Sequence, residues 1–436
     1  MEIAPFAALR YNLNKVGNLN NVIAPPYDVI DDAMQEELCA QHPNNVVRLI
    51  LDKMLPADDA ENNRYTRTAK TLADWKETGV LQRDKKPAIY IYHQEYTAAG
   101  KKYVRKGFMC RCKAVPFGQG MVYPHEITMS GPKMDRLMLT TACKTNFSQV
   151  FGLYPDETNT VQNTLEEAAE KLHLPVYEAA DRLGVIHKMQ VLDDAQAVAA
   201  AVKAMAPKPI FIADGHHRYE TACNYRQQID DMGLLTSDHP ANYVLMVCIA
   251  MDDPGLIVMP THRLFPGLPA LTSEELKQKI KPCFTVEAVG SGADDALKVW
   301  QFIEEQNRQD AIGLYTAKDG KWLLTTLTPE GKERMHTVAW EHHPEWQELG
   351  VSLLHHLIVE TLLGQKDYPK PNYVHLVEEV AACLKNGPDS YPLAALVQPA
   401  TVQHIKTISL LGDRMPAKST YFYPKLIAGF VFNPLE

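Results

Sequence analysis

Residues 209–226 read PIFIADGHHRYETACNYR, and the fold is interpreted outward from this stretch. The apolar segment Pro209–Ala213 predicts a buried strand, and a helix is predicted from Tyr219 to about Met232. Between them, glycine allows a tight backbone turn that other residues resist. The amides that follow lie at a helix N-terminus, where unpaired N–H groups and the helix dipole favour an anion. Strand, glycine turn and helix together predict a phosphate site.

The polar side chains of this turn suit phosphoryl chemistry. Arg218 has a planar guanidinium that binds phosphate through two parallel hydrogen bonds. Asp214 can accept a proton or hold a divalent cation, so it is the predicted metal ligand. His216 and His217 supply hydrogen-bond donors or a proton shuttle. A helix-capping aspartate with two surface histidines is the simpler alternative for the same residues.

The rest of the chain indicates an α+β fold with mixed sheets. Alternating apolar and polar residues predict a β-hairpin over 88–96 and 103–115 and a second buried strand over 242–251. Helices are predicted over 31–41, 65–78, 163–172 and 194–205. No G-x-G-x-x-G opens a helix, so a doubly wound dinucleotide-binding fold is not expected. We predict three regions: an N-terminal α/β domain (1–118), a catalytic region (119–265) and a C-terminal α/β region (266–436).

A second candidate cluster is Tyr123–Arg136, which reads YPHEITMSGPKMDR and is predicted to be a polar loop. It contains the carboxylate of Glu126 beside His125, and the cations Lys133 and Arg136. A loop with acids and bases suits a catalytic carboxylate near groups that neutralise phosphate. A solvated charged loop is the alternative interpretation.

A third cluster is Met415–Lys425, which reads MPAKSTYFYPK. Gly412–Ser419 differs by one residue from the phosphate-binding P-loop pattern, because Ala417 replaces the second glycine. A strand rather than a helix is predicted to follow, so a true P-loop is not expected. The cluster instead predicts a separate phosphate contact through Lys418, Ser419, Thr420 and Lys425. Weaker pocket candidates are Tyr27, Asp28, His125, Thr261, His262 and Arg263.

Composition excludes several classes of function. The 436 residues carry a net charge of −9, which disfavours binding to nucleic acid. The longest apolar run, Tyr243–Met251, is far shorter than the ~20 residues that span a bilayer, and Met1–Asn12 does not resemble a signal peptide. Cys110 and Cys112 alternate with Met109 and Arg111, which suits one face of a strand better than a metal site, and the 8 cysteines are interpreted as reduced and structural. We therefore expect a cytoplasmic protein without membrane contact.

Four segments together resemble a known family over essentially the whole chain: Ala24–Val29 (APPYDV), His125-Glu126, Ile212–Ala222 (IADGHHRYETA) and Lys418–Lys425 (KSTYFYPK). That family is catalogued as "domain of unknown function ten-fifteen". Its D-G-H-H-R-Y-E-T stretch is also similar to the signature of free-serine kinases in the ParB/sulfiredoxin-like superfamily. The resemblance implies a ParB/sulfiredoxin-like catalytic core in 119–265 with additional α/β domains packed against it. It also implies phosphoryl transfer to or from the hydroxyl of free L-serine.

On the hypothesis of a serine kinase, each cluster is assigned a role. Arg218, His216 and His217 would hold the donor phosphate, and Asp214 would help to place Mg²⁺, the expected cofactor. Glu126 is the first candidate for the base that accepts the serine proton, and Asp214 is the second. The remaining phosphate contacts would come from Lys133, Arg136, Lys418, Ser419, Thr420 and Lys425.

Several alternatives stay open from the sequence. The donor is pyrophosphate, ADP or ATP, with pyrophosphate favoured because no nucleotide motif is present. The same site would also suit a phosphoserine phosphatase, or a non-catalytic regulator that binds a nucleotide or an amino acid. Sulfinic acid reduction is not expected, because His216 stands where sulfiredoxins have their reactive cysteine. Oligomeric state and direction of the reaction are not determined.

Overall fold

A computed structural model describes residues 1–387 and 390–436. The chain forms two compact units: unit 1 contains Met1–Pro124, Thr128–Leu256 and Pro424–Glu436, and unit 2 contains His125–Ile127 and Ile257–Tyr423. The predicted region boundaries at 118 and 265 differ from these divisions, because strands from both sides of residue 118 pair in one sheet. The division into three domains stays a prediction.

The strands are short except for one hairpin. They are β1 (Ile3–Ala4), β2 (Leu9–Tyr11), β3 (Leu81–Arg83), β4 (Ile89–Ala98), β5 (Lys101–Lys113), β6 (Val122–Tyr123), β7 (Thr145–Asn146), β8 (Val150–Tyr154), β9 (Tyr177–Ala180), β10 (Ile186–Leu192), β11 (Ile210–Asp214), β12 (Tyr243–Ala250), β13 (Ile257–Met259), β14 (His262–Phe265), β15 (Phe284–Ser291), β16 (Ile312–Thr316), β17 (Lys321–Leu327), β18 (Asn372–Val374), β19 (Leu393–Leu396), β20 (Tyr421–Tyr423) and β21 (Asn433–Pro434).

Helices occur in both units. The α-helices are α1 (Leu13–Val16), α2 (Asp32–Gln41), α3 (Val47–Ile50), α4 (Arg64–Glu77), α5 (Ser130–Cys143), α6 (Thr160–Lys171), α7 (Ala195–Met205), α8 (His216–Asp231), α9 (Ser273–Ile280), α10 (Ala296–Gln306), α11 (Pro329–Val338), α12 (Pro344–Gln347), α13 (Gly350–Ser352), α14 (Val377–Asn386) and α15 (Val402–Leu410). Short 3₁₀ turns cover Leu19–Asn21, Tyr27–Val29, Pro240–Asn242 and Ala293–Asp295, and Leu353–Leu362 is a π-helix. Among the described residues, no helix is both long and apolar enough to cross a bilayer.

The centre of unit 1 is a mixed sheet with the strand order β6-β11-β8-β12-β5-β4-β10-β9, and β1 pairs with β5. The pairs β6–β11 and β8–β12 are parallel, and the other pairs are antiparallel. The predicted hairpin is confirmed as β4 and β5, which turn at Ala99 and Gly100 with φ values of 46° and 73°. Apolar side chains of this sheet pack against helices α6, α7 and α8. The sheet thereby gives the strand β11 a rigid, buried support.

Unit 2 has its own antiparallel sheet, with the strand order β15-β17-β16-β19-β14-β18. Helices α10 and α14 contribute apolar side chains to the core on this sheet. A separate ladder joins β13 to β20, the strand that follows the Lys418 cluster. The two units together confirm the predicted α+β class with mixed sheets.

Two local predictions are wrong in part. The predicted polar loop Tyr123–Arg136 ends at Met129, because α5 begins at Ser130. Pro132 lies in the first turn of α5, where backbone N–H groups have no partner within the helix, so the helix tolerates it. The helix predicted from Tyr219 begins three residues earlier, at His216, directly after the glycine turn.

Candidate functional site

The predicted strand, turn and helix are present as β11, Gly215 and α8. β11 ends at Asp214, and Gly215 has φ 89°, a left-handed conformation that favours glycine. A Cβ at this position would lie 2.9 Å from the guanidinium carbon of Arg218. The Arg218 side chain therefore folds back over the turn, and only glycine accommodates both the backbone conformation and this close approach.

Asp214 is held between two cations. Its Oδ2 accepts a hydrogen bond of 2.6 Å from Lys425 Nζ, and its Oδ1 lies 3.3 Å from Arg218 Nη2. Arg218 Nη1 donates to the Gln149 carbonyl. Burial by itself would raise the pKa of Asp214, but Lys425 and Arg218 outweigh it and hold that pKa well below the ordinary value. Asp214 is therefore an ionised member of a charge cluster.

A buried arginine fixes the backbone next to Lys425. Arg105 Nη2 donates to the Pro424 carbonyl at 2.5 Å, and its Nε donates to Gln94 Oε1 at 3.0 Å. Gln94 in turn donates to the Lys425 carbonyl at 3.1 Å. Burial lowers the pKa of Arg105 to about 10, so the side chain stays charged at neutral pH. Arg105 and Gln94 were not candidates from the sequence, and no local signal distinguishes them, because the same hairpin carries other long polar residues such as Lys102, Lys106 and Arg111.

A small cavity of about 40 Å³, with both polar and apolar lining, lies in unit 1 and is lined by both Arg136 and Arg218. The Arg136 guanidinium carbon lies 4.0 Å from the ring centroid of Tyr27, and its Nη1 donates to the Ile50 carbonyl at 2.6 Å. Further lining groups include Thr140, Ser148 and Thr221. A small anion in this space would bind the two guanidinium groups in competition with their carboxylate partners, which are Asp135 for Arg136 and Asp214 for Arg218.

The beginnings of α5 and α8 contact each other beside these groups. The Met129 N–H donates to His217 Nε2 at 3.0 Å, so this nitrogen acts as an acceptor. Lys133 Nζ lies 3.4 Å from Glu220 Oε1. The loop that carries the second cluster is therefore anchored to the first turn of α8. His216 is buried at that turn, whereas Asp28 is exposed.

Within unit 2, the second and third clusters contact each other. The ring of His125 is 2.9 Å from the Thr420 hydroxyl, and the His125 carbonyl accepts a hydrogen bond of 2.8 Å from the Met415 N–H. The half-buried Glu126 follows directly in the chain. Ser419 Oγ donates to the Pro416 carbonyl at 2.5 Å. Glu126 is therefore attached through its neighbour to the loop that carries Lys418, Ser419 and Thr420.

The predicted pocket residues Thr261, His262 and Arg263 lie against the same loop. Arg263 is buried; one nitrogen donates to the Lys418 carbonyl at 2.8 Å and another donates to the Thr261 carbonyl. Lys418 itself has φ 58°, which a non-glycine residue adopts only with support from its surroundings. We interpret Arg263 as a support for this turn.

The predicted residues thus form two groups. Unit 1 holds Tyr27, Asp28, Lys133, Arg136, Asp214, His216, His217, Arg218 and Lys425. Unit 2 holds His125, Glu126, Thr261, His262, Arg263, Lys418, Ser419 and Thr420. Their roles in binding and catalysis remain predictions.

The surroundings of Asp214 do not fit a directly bound Mg²⁺. Magnesium requires near-octahedral oxygen ligands, whereas both carboxylate oxygens of Asp214 face cationic side chains. A magnesium ion would have to displace Lys425. Mg²⁺ as a cofactor of the reaction stays a prediction.

Fold and site define an α+β protein with a strand–glycine–helix turn suited to an anion. Residues 3–352 match the family described as "Protein of unknown function (DUF1015)", so the chain belongs to that family. No curated protein matches the chain.

The chain is also similar to several solved structures. A free serine kinase mutant in complex with ADP is 10% identical, with 69% of this chain and 84% of that chain covered and a TM-score of 0.34. SbnI with a C-terminal truncation, from Staphylococcus aureus, is 10% identical, with coverages of 75% and 87% and a TM-score of 0.35. A conserved hypothetical protein from Pyrococcus furiosus is 12% identical, with coverages of 71% and 91% and a TM-score of 0.33.

Proposed function

We propose that this protein is a small-molecule kinase that transfers a phosphoryl group from pyrophosphate, or a nucleotide, to the hydroxyl of free L-serine. The observation that carries the proposal is the cavity of unit 1 that Arg136 and Arg218 line, next to the glycine turn. The choice of free serine rests on the resemblance of D-G-H-H-R-Y-E-T to free-serine kinases. The product is O-phospho-L-serine.

Phosphoryl transfer depends mainly on positioning and on neutralising phosphate charge. Arg218 and Arg136 would bind phosphate oxygens, since guanidinium groups match their geometry. In the reaction, the serine oxygen forms a bond to phosphorus while the bond from phosphorus to the leaving phosphate breaks. Glu126 stays our predicted acceptor of the serine proton, and Asp214 is a poor second choice because its pKa is depressed.

The lining of the cavity favours a small donor. The guanidinium groups of Arg136 and Arg218 and the hydroxyls beside them suit a phosphoryl group, and the sequence contains no nucleotide-binding motif. We therefore rank pyrophosphate above ADP and ATP as donor, with orthophosphate as the leaving group.

Phosphorus NMR tests the reaction directly. The purified chain is incubated with L-serine and Mg²⁺, and pyrophosphate, ADP or ATP is supplied in separate samples. A phosphoserine resonance that requires serine supports the kinase and identifies the donor. Orthophosphate released from phosphoserine without any acceptor phosphate would indicate a phosphatase instead. Ligand-induced stabilisation of a folded chain that forms no product would indicate a binding regulator.

A further inference from the structure

Three cysteine thiols meet in the core of unit 1. Cys110 and Cys112 belong to β5, and Cys248 belongs to β12, the antiparallel neighbour of β5. All three residues are fully buried. Their Sγ atoms are separated by 3.8 Å (Cys110 to Cys112), 3.9 Å (Cys110 to Cys248) and 3.9 Å (Cys112 to Cys248). The sulfur atoms therefore form a nearly equilateral triangle.

The size of this triangle matches metal–thiolate bonds. A point at its centre is about 2.2 Å from each sulfur, and zinc–sulfur bonds are about 2.3 Å long. A zinc ion would sit slightly out of the sulfur plane, with one tetrahedral position left for a fourth ligand. The sulfur–sulfur distances therefore already match those of three thiolates on one zinc ion.

Tyr154 gives a second, independent indication. This residue is fully buried on β8, which pairs with β12, and its ring lies 6.0 Å from that of Phe108. Its hydroxyl has no hydrogen-bond partner among the residues described, and Tyr154 belongs to the same buried core cluster as the three cysteines. Buried hydroxyl groups normally have a partner. A water molecule bound to a metal in the fourth position would supply one.

We propose that Cys110, Cys112 and Cys248 bind one Zn²⁺ as thiolates, with water as the fourth ligand. Binding replaces three thiol protons by the metal, which avoids the cost of three uncompensated thiolates in an apolar core. Because the thiols are fully buried, the ion enters as unit 1 folds. The proposal does not depend on the kinase reaction. The competing explanation is that three small apolar thiols merely pack together.

Cobalt substitution of the full-length chain tests the site. The reduced chain is refolded without oxygen in Co²⁺ or Zn²⁺ and then freed of loosely bound metal. We expect one metal ion per chain and a thiolate-to-cobalt charge-transfer band. Cys112→Ala and Cys248→Ala should remove the band, whereas Cys39→Ala, outside the cluster, should retain it. Zinc should also raise the unfolding temperature of the wild-type chain.

The outcome is decisive even if the core variants fail to fold. X-ray absorption by zinc in the wild-type chain must show three sulfur neighbours at about 2.3 Å. A folded wild-type chain that retains no metal, a zinc ion with fewer sulfur ligands, or a charge-transfer band that survives in Cys248→Ala would overturn the proposal.

Discussion

Single residues set the charge of the candidate site. Asp214 is close to two cationic side chains, so its carboxylate is ionised at neutral pH and partly cancels their charge. A phosphate that binds Arg218 would compete with Asp214 for the same guanidinium. Binding of an anion would therefore change the charge balance around Asp214 and its other partner, Lys425.

Replacing Glu126 tests the predicted base. Glu126→Gln keeps the shape of the side chain but removes its capacity to accept a proton. We expect turnover to fall by roughly 10²–10⁴-fold with little change in donor binding. Serine-dependent formation of phosphoserine measures the first quantity, and titration calorimetry with pyrophosphate measures the second. The exposed Glu167→Gln is the matched control, and equal turnover in both variants would remove Glu126 from this role.

Replacing Gly215 tests the turn itself. Gly215 and Gly233 both have positive φ, 89° and 70°, so alanine strains each backbone by about 1 kcal/mol. At Gly233 a Cβ meets no atom within 4 Å, whereas at Gly215 it meets the Arg218 guanidinium. Gly215→Ala should therefore lower phosphate affinity as well as stability, and Gly233→Ala should lower stability alone. Identical phosphate affinity in the two variants would contradict the proposed function of Arg218.

At the scale of elements, Glu166 links α6 to the β4–β5 hairpin. Its carboxylate lies 3.0 Å from His93 Nε2, 2.7 Å from Lys106 Nζ and 2.8 Å from Gln162 Nε2. Burial would raise the pKa of Glu166, but His93, Lys106 and Gln162 outweigh it and lower that pKa to about 2. One side chain thus fixes a helix on the strand pair that also carries Arg105.

This contact predicts acid sensitivity in unit 1. Because the pKa of Glu166 is lower in the folded chain than in the unfolded chain, its carboxylate stabilises the folded chain fully above about pH 4.5. This stabilisation is lost as the pH falls towards 2. Glu166→Gln should remove up to about 3 kcal/mol at pH 7 and flatten the dependence of stability on pH in that range. Urea unfolding at several pH values measures both effects. The exposed Glu170→Gln, on the same helix, should behave like the wild type.

At the scale of the whole molecule, buried histidines predict that unit 2 loses stability at a higher pH than the Glu166 contact of unit 1 does. Burial lowers the pKa of His262 and of His355 to about 3. The unfolded chain takes up protons on these residues near pH 6.5 and the folded chain does not, so stability falls as pH drops from about 6.5 towards 3.

Tryptophan fluorescence follows unit 2 selectively, because Trp300, Trp322, Trp340 and Trp346 lie there and only Trp75 lies in unit 1. The urea midpoint by fluorescence should decrease between pH 6.5 and pH 4.5. His262→Leu should make this decrease smaller, and the exposed His336→Gln should leave it unchanged. A midpoint that is constant over this range would contradict the prediction.

Local patterns account for what the sequence predicted well. The hairpin β4–β5 follows from alternating residues around Gly100, and β11 with α8 follows from an apolar run that ends at a glycine. The start of α5 was missed, because polar letters over its first turn hide the buried face formed by Arg136, Leu139 and Cys143. The error at the start of α5 is confined to a few residues, because helix capping and the periodic pattern of buried side chains are themselves short-range features.

By itself, the sequence determined the class of fold, the family and the residue types suited to phosphate. Only the tertiary structure decided which of them meet. It joins Asp214 to Lys425, 211 residues later, and brings Cys248 to Cys110 and Cys112. Such contacts depend on which strands pair and in what register, and these are selected by packing of the whole sheet rather than by any local pattern.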